Sequence, residues 1–291
     1  MRYALCAVKW LYMNNESTSR NSKSHIRGLV AEFVDNRQRT GKYLLTSSEI
    51  AEISPQSPSA IRAALRRLSE RARIVRPLPR HDFFVIVPHE YHSMGAPPLA
   101  WFLDPLMRFL GLQSYYVGLL TAAQWNGASH FAVQETQVVV PRQMRPIQVG
   151  REHIRFFTKT LAAETPVETR TTENGTVRIS TPEATAVDLV RYHGGAGGLN
   201  MTATVLSELS PKLRANALGS LFDQNADIVV AQRLGYLLTL VGAEQTTGVL
   251  SRIIEKRNPR TRPLDPSAHG PRGKFDPIWR LNINTKVEAG T

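Results

Sequence analysis

One cysteine, Cys6, is all that 291 residues provide. That excludes an intramolecular disulfide framework and any cysteine-rich zinc site, because both need at least two thiolates at set spacing. A reducing, cytoplasmic setting is the expectation. Long apolar runs are also missing: no stretch approaches the ~20 uninterrupted apolar residues that span a bilayer. The apolar N-terminal stretch from Tyr3 to Met13 is broken by Lys9 and lacks a small-residue cleavage site, so no signal peptide is expected. A polar run follows Met13, and residues 1–20 read as a flexible extension. Acidic residues are the third shortage, with 24 Asp and Glu against 36 Lys and Arg, a net charge of +12. Such a chain seeks phosphate, anionic lipid or acidic protein surfaces. A hydrophobic content of 42%, with 18 prolines and 19 glycines spread along the chain, argues against disorder and for a folded protein of about two domains.

The position of the charge is more informative than its sum. Residues 55–81 hold Arg62, Arg66, Arg67, Arg71, Arg73, Arg76 and Arg80 against Glu70 alone, which is +6 in under a tenth of the chain. Around that window, His25 to Gly41 reads as a helix, with Ile26, Leu29, Val30 and Phe33 at helical spacing. Thr46 and Glu49 form a capping box that opens a short second helix through Ile53. Ser57 as N-cap and Pro58 at the first helical position start a third. On a 100° wheel, Ile61, Ala64, Leu65, Leu68 and Ala72 form one arc and Ser59, Arg62, Arg66, Ser69 and Arg73 the neighbouring one. Ile74-Val75 and Phe83 to Val87 read as strands joined by a loop bearing Arg76 and Arg80.

This order predicts a winged helix-turn-helix over residues 21–95, which places its third helix in the major groove of double-stranded DNA. Ser57, Ser59, Arg62, Ala63 and Arg66 are then the candidate base-edge readers, and Arg67, Arg73, Arg76 and Arg80 the candidate phosphate contacts. A protein-interaction adaptor is the alternative use of the same module.

Beyond a Gly95-to-Pro98 boundary, residues 96–291 read as a second, mixed α/β domain, making the fold class α+β. A linking helix is expected over Leu99 to Leu112 and a small-residue helix over Tyr115 to Gly127. Strands at Gln137–Val140, Ile154–Phe157, Val167–Arg170 and Val177–Ser180 suggest a small, mostly antiparallel sheet. Thr181, Pro182 and Glu183 start a helix that ends before Gly194 to Gly198, helices fill most of Met201 to Lys256, and a strand closes the chain at Ile278 to Asn284.

Enzyme motifs fail on spacing. His89-Glu90-Tyr91-His92 sets its histidines three apart where a zincin helix needs four, and it follows a strand and Pro88, so it reads as a linker and no metal is expected. Gly194 to Gly198 follows a helix and lacks the lysine of a phosphate loop. Glu183 and Asp188 lie 140° apart on a helix, so they do not form an acid pair; Glu183 is expected to serve the helix N-terminus and Asp188 to be exposed or a structural hydrogen-bonding group. No G-x-S-x-G elbow occurs. A second, diffuse basic set, Arg142, Arg145, Arg151, Arg155 and Lys159, reads first as solvated surface, as does the set Arg252, Lys256, Arg257, Arg260, Arg262, Arg272 and Lys274, the alternative being a surface for further DNA phosphate or for RNA involved in neutralising a toxin. No catalytic residue and no cofactor is assigned.

Several stretches resemble the AbiEi antitoxins of type IV toxin-antitoxin systems: Tyr115 to His130, Gln137 to Val140, Ser180 to Leu189 (STPEATAVDL), Gln232 to Leu238 and Trp279 to Asn284. Ala184 departs from the family, which usually carries a basic residue there. The resemblance implies an N-terminal domain that binds inverted repeats in its own promoter and represses it. It further implies a C-terminal domain that counters a nucleotidyltransferase-like toxin of phage-defence, abortive-infection systems without forming a stable complex with it.

Overall fold

The computed structural model describes residues 21–128, 134–222, 227–268 and 273–290. The extension expected at residues 1–20, with Cys6, lies outside them, as do His130 and Arg272. The chain divides into two compact units: residues up to Leu110 together with 147–152 and 171–176, and the remainder.

The first unit starts with helix α1 (Asn21–Arg39), strand β1 (Leu44–Leu45), helix α2 (Ser47–Ile53) and helix α3 (Pro58–Glu70), then β2 (Ile74–Val75) and β3 (Phe84–Ile86). Both halves of the capping box form: Thr46 Oγ1 accepts from the Glu49 amide at 3.2 Å and Glu49 accepts from the Thr46 amide at 2.8 Å. Ser57 caps α3 through the Ala60 amide, with Pro58 at the first position. Helices α1 and α2 pack on α3, which turns Ile61, Ala64, Leu65 and Leu68 into the core with Val30, Val34 and Ile50. Ala72, placed by periodicity on the buried arc, is exposed at φ +54, because the helix has already ended at Glu70.

Strand β3 is central, antiparallel to β1 on one side and β2 on the other. Two residues are too few to show alternation, so β1 left no sequence signal. Arg37 fixes this corner, donating to the Leu44 carbonyl at 2.9 Å and to Glu49 at 2.5 Å. The expected linking helix is a 3₁₀ turn at Leu99–Trp101 followed by α4 (Leu103–Phe109). It groups with the first unit because its aromatic residues pack there: Trp101 lies 4.8 Å from Tyr43 and Phe109 lies 4.7 Å from Phe83.

The second unit is α/β. It is built on a sheet of β4 (Tyr116–Val117), β5 (Thr136–Val140), β7 (Glu152–Thr158), β8 (Val167–Thr172) and β9 (Gly175–Ser180) in the order β7-β5-β4-β9-β8, with helix α5 (Leu119–Trp125) after β4, while β6 (Ile147–Val149) groups with the first unit. Strand β4 is antiparallel to β5 but parallel to β9, and β5 is parallel to β7 over five residues. The sheet is therefore mixed, where strand order alone suggested mostly antiparallel pairing. The crossovers that make pairs parallel are long-range, and no local hairpin signal records them. The helix expected from Tyr115 starts only at Leu119, since Tyr116 and Val117 join the sheet.

Among the described residues five further helices, α6 (Pro182–Arg191), α7 (Gly198–Leu209), α8 (Ala215–Ser220), α9 (Ile228–Leu240) and α10 (Glu244–Arg257), join α5 in this unit. Buried α9 packs against α6, α7 and α10. In α9 a Cβ on Gly235 would come 2.0 Å from the Trp279 ring, so only glycine lets the tryptophan seat there. The glycine-rich turn at 194–198 has a similar role, because a Cβ on Gly195 would meet the Phe157 ring at 2.4 Å. A small sheet of β10 (Arg262–Pro263), β12 (Leu281–Ile283) and β11 (Lys274–Asp276) completes the chain.

Candidate nucleic-acid interface

The exposed face of α3 carries Ser59, Arg62, Arg66 and Arg67, and the hairpin from β2 to β3 carries Arg76 and Arg80, all exposed. Ala63 is partly buried beside them. The cations are held differently. Arg66 reaches Glu70 at 3.4 Å with 79% of its side chain open to solvent, an i,i+4 surface pair of about 0.3–0.5 kcal/mol that a stronger anion would displace. Arg76 is restrained at the hairpin base: its Nε donates to the His81 carbonyl at 3.1 Å and its guanidinium lies 5.6 Å from the Phe84 ring. Arg73 is ion-paired to Asp35 of α1. Its charge is thus answered within the unit, and its first role is to tie α1 to the start of the hairpin. Ser57 is occupied as well, capping α3 and lying 3.0 Å from the Ser59 hydroxyl, so it positions the face more than it reads from it.

Between α2, α3 and the hairpin lies a cavity of about 480 Å³ with Ile61, Leu65 and Phe84 on its floor and Arg62, Arg66 and Arg76 along its wall. Asp82 holds the Ser47 hydroxyl at 2.6 Å on the opposite side. That bond ties the hairpin to the start of α2.

The second unit places its polar residues inside. Asp188 is fully buried, accepting from the Tyr116 hydroxyl at 2.6 Å and from Lys159 Nζ at 3.1 Å. Sequence reasoning counted Lys159 among solvated surface cations; its side chain is only 19% exposed and neutralises this carboxylate. Burial first, and then the neighbouring Asp188, push the Tyr116 hydroxyl well above the usual phenol range, so it stays protonated and donates. Tyr192 is pushed up to about 12, first by burial and then by Asp188.

Glu183, expected at the helix N-terminus, is buried there, and it also accepts from both the backbone amide and the Nε of Arg214 at 3.0 Å. Burial raises its pKa, but the Arg214 and backbone hydrogen bonds outweigh that and hold it below the usual carboxylate range. Asn126, Ser180 and Thr185 form a second buried cluster, with the two hydroxyls 2.7 Å apart. Sequence could not reveal these partners, since Tyr116, Lys159 and Asp188 lie 29 to 72 residues apart.

His89 and His92 stack at 5.0 Å in a 3₁₀ turn, and among the described residues no group of three or more His, Cys, Asp or Glu could hold a metal ion. No helix among those residues is long and apolar enough to cross a membrane.

Residues 116–240 match the AbiEi antitoxin C-terminal domain family, a regulatory family in toxin-antitoxin systems. No curated protein matches the chain. Among solved structures, the RV2827C protein of Mycobacterium tuberculosis is similar at 15% identity and a TM-score of 0.62, over 87% of this chain and 90% of that one. At that identity the likeness establishes a common fold.

Proposed function

We propose, from the AbiEi antitoxin domain at residues 116–240, that this chain is a cytoplasmic antitoxin of a type IV toxin-antitoxin system that also represses its own operon. In this reading the first unit is a winged helix-turn-helix that binds inverted repeats in double-stranded promoter DNA. The second unit counters a nucleotidyltransferase-like toxin without a stable complex. The observation that carries the DNA half is the exposed arginine face of α3 beside a hairpin that bears two more arginines. Helix, strand, helix, helix and a two-stranded hairpin, in that order, support the same reading.

Physically, each phosphate neutralised releases condensed counterions, so each contact lowers affinity by about 0.9 log unit for every tenfold rise in salt. Arg62 and Arg66 on the helix have the forked donors that suit guanine edges, and the partly buried Ala63 offers a methyl to thymine. Arg67, Arg76 and Arg80 fit the backbone, and Arg73 does so only by releasing Asp35.

A mobility-shift titration on the chain's own upstream DNA tests the first half, with binding markedly tighter than to scrambled DNA expected and equal binding refuting it. Co-expression with the gene encoded next to it tests the second. Rescue of growth by the full chain is expected, and failure to rescue would remove the antitoxin role. The apolar floor of the α2–α3 cavity is the feature that would suit a protein partner, and DNA binding that is absent or insensitive to salt would favour that adaptor role.

A further inference from the structure

The small C-terminal sheet of the second unit presents an aromatic ring to water. Across its three strands Pro263, Asn282 and Phe275 stand in one row, since Pro263 pairs with Asn282 and Asn282 with Phe275. Side chains alternate along a strand, so this row points away from the side that holds the fully buried Leu281. Phe275 is 51% exposed, and Ile278, in the turn from β11 to β12, is 60% exposed.

The frame beneath that ring is well tied. Trp279 of the same turn is buried against Gly235 of α9, and its amide donates to Asp276 at 2.9 Å. The side-chain nitrogen of Gln232 lies within 3.3 Å of the carbonyls of Arg260, Trp279 and Arg280, which draws the segment before β10 and the turn before β12 to one point. The cations carried there are unanswered. Arg260, Arg262 and Lys274 are exposed, and among the described residues no carboxylate pairs with them or with Arg280. Arg280 donates to the Pro259 carbonyl at 2.6 Å, which uses a bond without cancelling its charge. The acids of this segment are engaged locally, Asp276 with the Trp279 amide and Asp265 with the amide and hydroxyl of Ser267.

Unpaired cations beside an open ring suit a polyanion that also carries flat rings. A duplex does not fit, because its base faces are already covered, whereas an unstacked base can lie on a phenylalanine. A membrane surface needs a broader apolar area than one phenylalanine and one isoleucine supply. Three of the four cations are arginines, whose forked donors match phosphate oxygens. RNA is the nucleic acid that presents unstacked bases in its loops, bulges and ends.

We propose that this face binds single-stranded RNA, with a base stacked on Phe275 and the adjoining phosphates on Arg260, Arg262 and Lys274. The site belongs to the second unit alone and rests on neither the promoter-binding nor the antitoxin reading. It is tested by fluorescence anisotropy of the full chain with a labelled single-stranded RNA of about twelve nucleotides, a length such surfaces track. Saturable binding is expected. Phe275→Ala should weaken it about tenfold, the loss of one stacked base, and Phe275→Trp should retain it. Arg262→Ala should lower the slope of log affinity against log salt by about 0.7, the share of one single-strand phosphate. If Phe275→Ala melts early, Phe275→Leu keeps the apolar bulk without a stacking face and should weaken the RNA as well. The proposal is overturned if the Phe275 variants that lack a ring bind RNA like the parent, or if duplex RNA of the same length or single-stranded DNA of the same sequence binds more tightly. It is overturned equally if Arg62→Ala on α3 weakens the RNA as much as Phe275→Ala does, or if phosphatidylserine vesicles bind through Phe275 and the RNA does not.

Discussion

Arginines 62, 66 and 80 hold their charge out to water on the first unit, whereas Lys159 of the second directs its charge onto a carboxylate with no solvent exposure. The same kind of group therefore has opposite consequences. On the exposed face a cation adds little to folding and is available to a polyanion. In the buried network it is part of the core, where removing one partner leaves an uncompensated charge in a poorly solvated place. The exposed cations are thus placed where stability is least at stake, whereas the buried polar groups of the second unit are part of its core.

The sharpest way to break this contrast is Lys159→Met. Leaving Asp188 buried with Tyr116 alone should cost about 3–5 kcal/mol in urea unfolding. A loss under 1 kcal/mol would mean that the carboxylate is solvated after all. Next comes Gly235→Ala. In an open helix this change stabilises by about 1 kcal/mol, but against the Trp279 ring it should destabilise by about 1–3 kcal/mol, and a raised melting temperature would contradict the packing.

On the exposed face, Arg62→Ala should leave the melting temperature alone while costing about 1–3 kcal/mol of preference for the cognate over a mutated operator. Arg80→Ala should weaken all DNA alike and lower the salt slope by about one. If the two behaved identically in a salt titration, readers and positioners would not be separate. Arg73→Ala should cost at most about 1 kcal/mol of stability through the lost Asp35 pair, with little change in DNA affinity, and the reverse pattern would return Arg73 to the phosphate set.

The smallest effect concerns acid. Glu183 has its pKa lowered in the folded chain, so it contributes stability that is present above the unfolded carboxylate value and is lost as pH falls through the folded one. Thermal melts of Glu183→Gln should therefore be less sensitive to acid than those of the parent, and an unchanged pH profile would show that the Arg214 bonds do not act.

Legibility followed distance along the chain. The capping box at Thr46 and Glu49, the Ser57-Pro58 start of α3 and the Thr181-Pro182 start of α6 were all readable, because each is completed within three or four residues. The arginine arc of α3 was readable as well, since a helical period fixes which side chains share a face. Strand β1 and the parallel pairings of β4 and β5 were not, and neither was the role of Lys159. Nothing local distinguishes a lysine facing water from one facing a carboxylate brought in from 29 residues away.

By itself, then, the sequence determined where the side-chain-capped helices at Thr46, Ser57 and Thr181 start, where charge accumulates and which face of α3 is free, because these depend on backbone capping and periodicity. Only the tertiary structure decided which of those charges remain free, because pairing depends on chain segments meeting across the fold and excluding water. Arg66 stayed solvated, Arg73 was taken by Asp35, and Lys159 became part of the core.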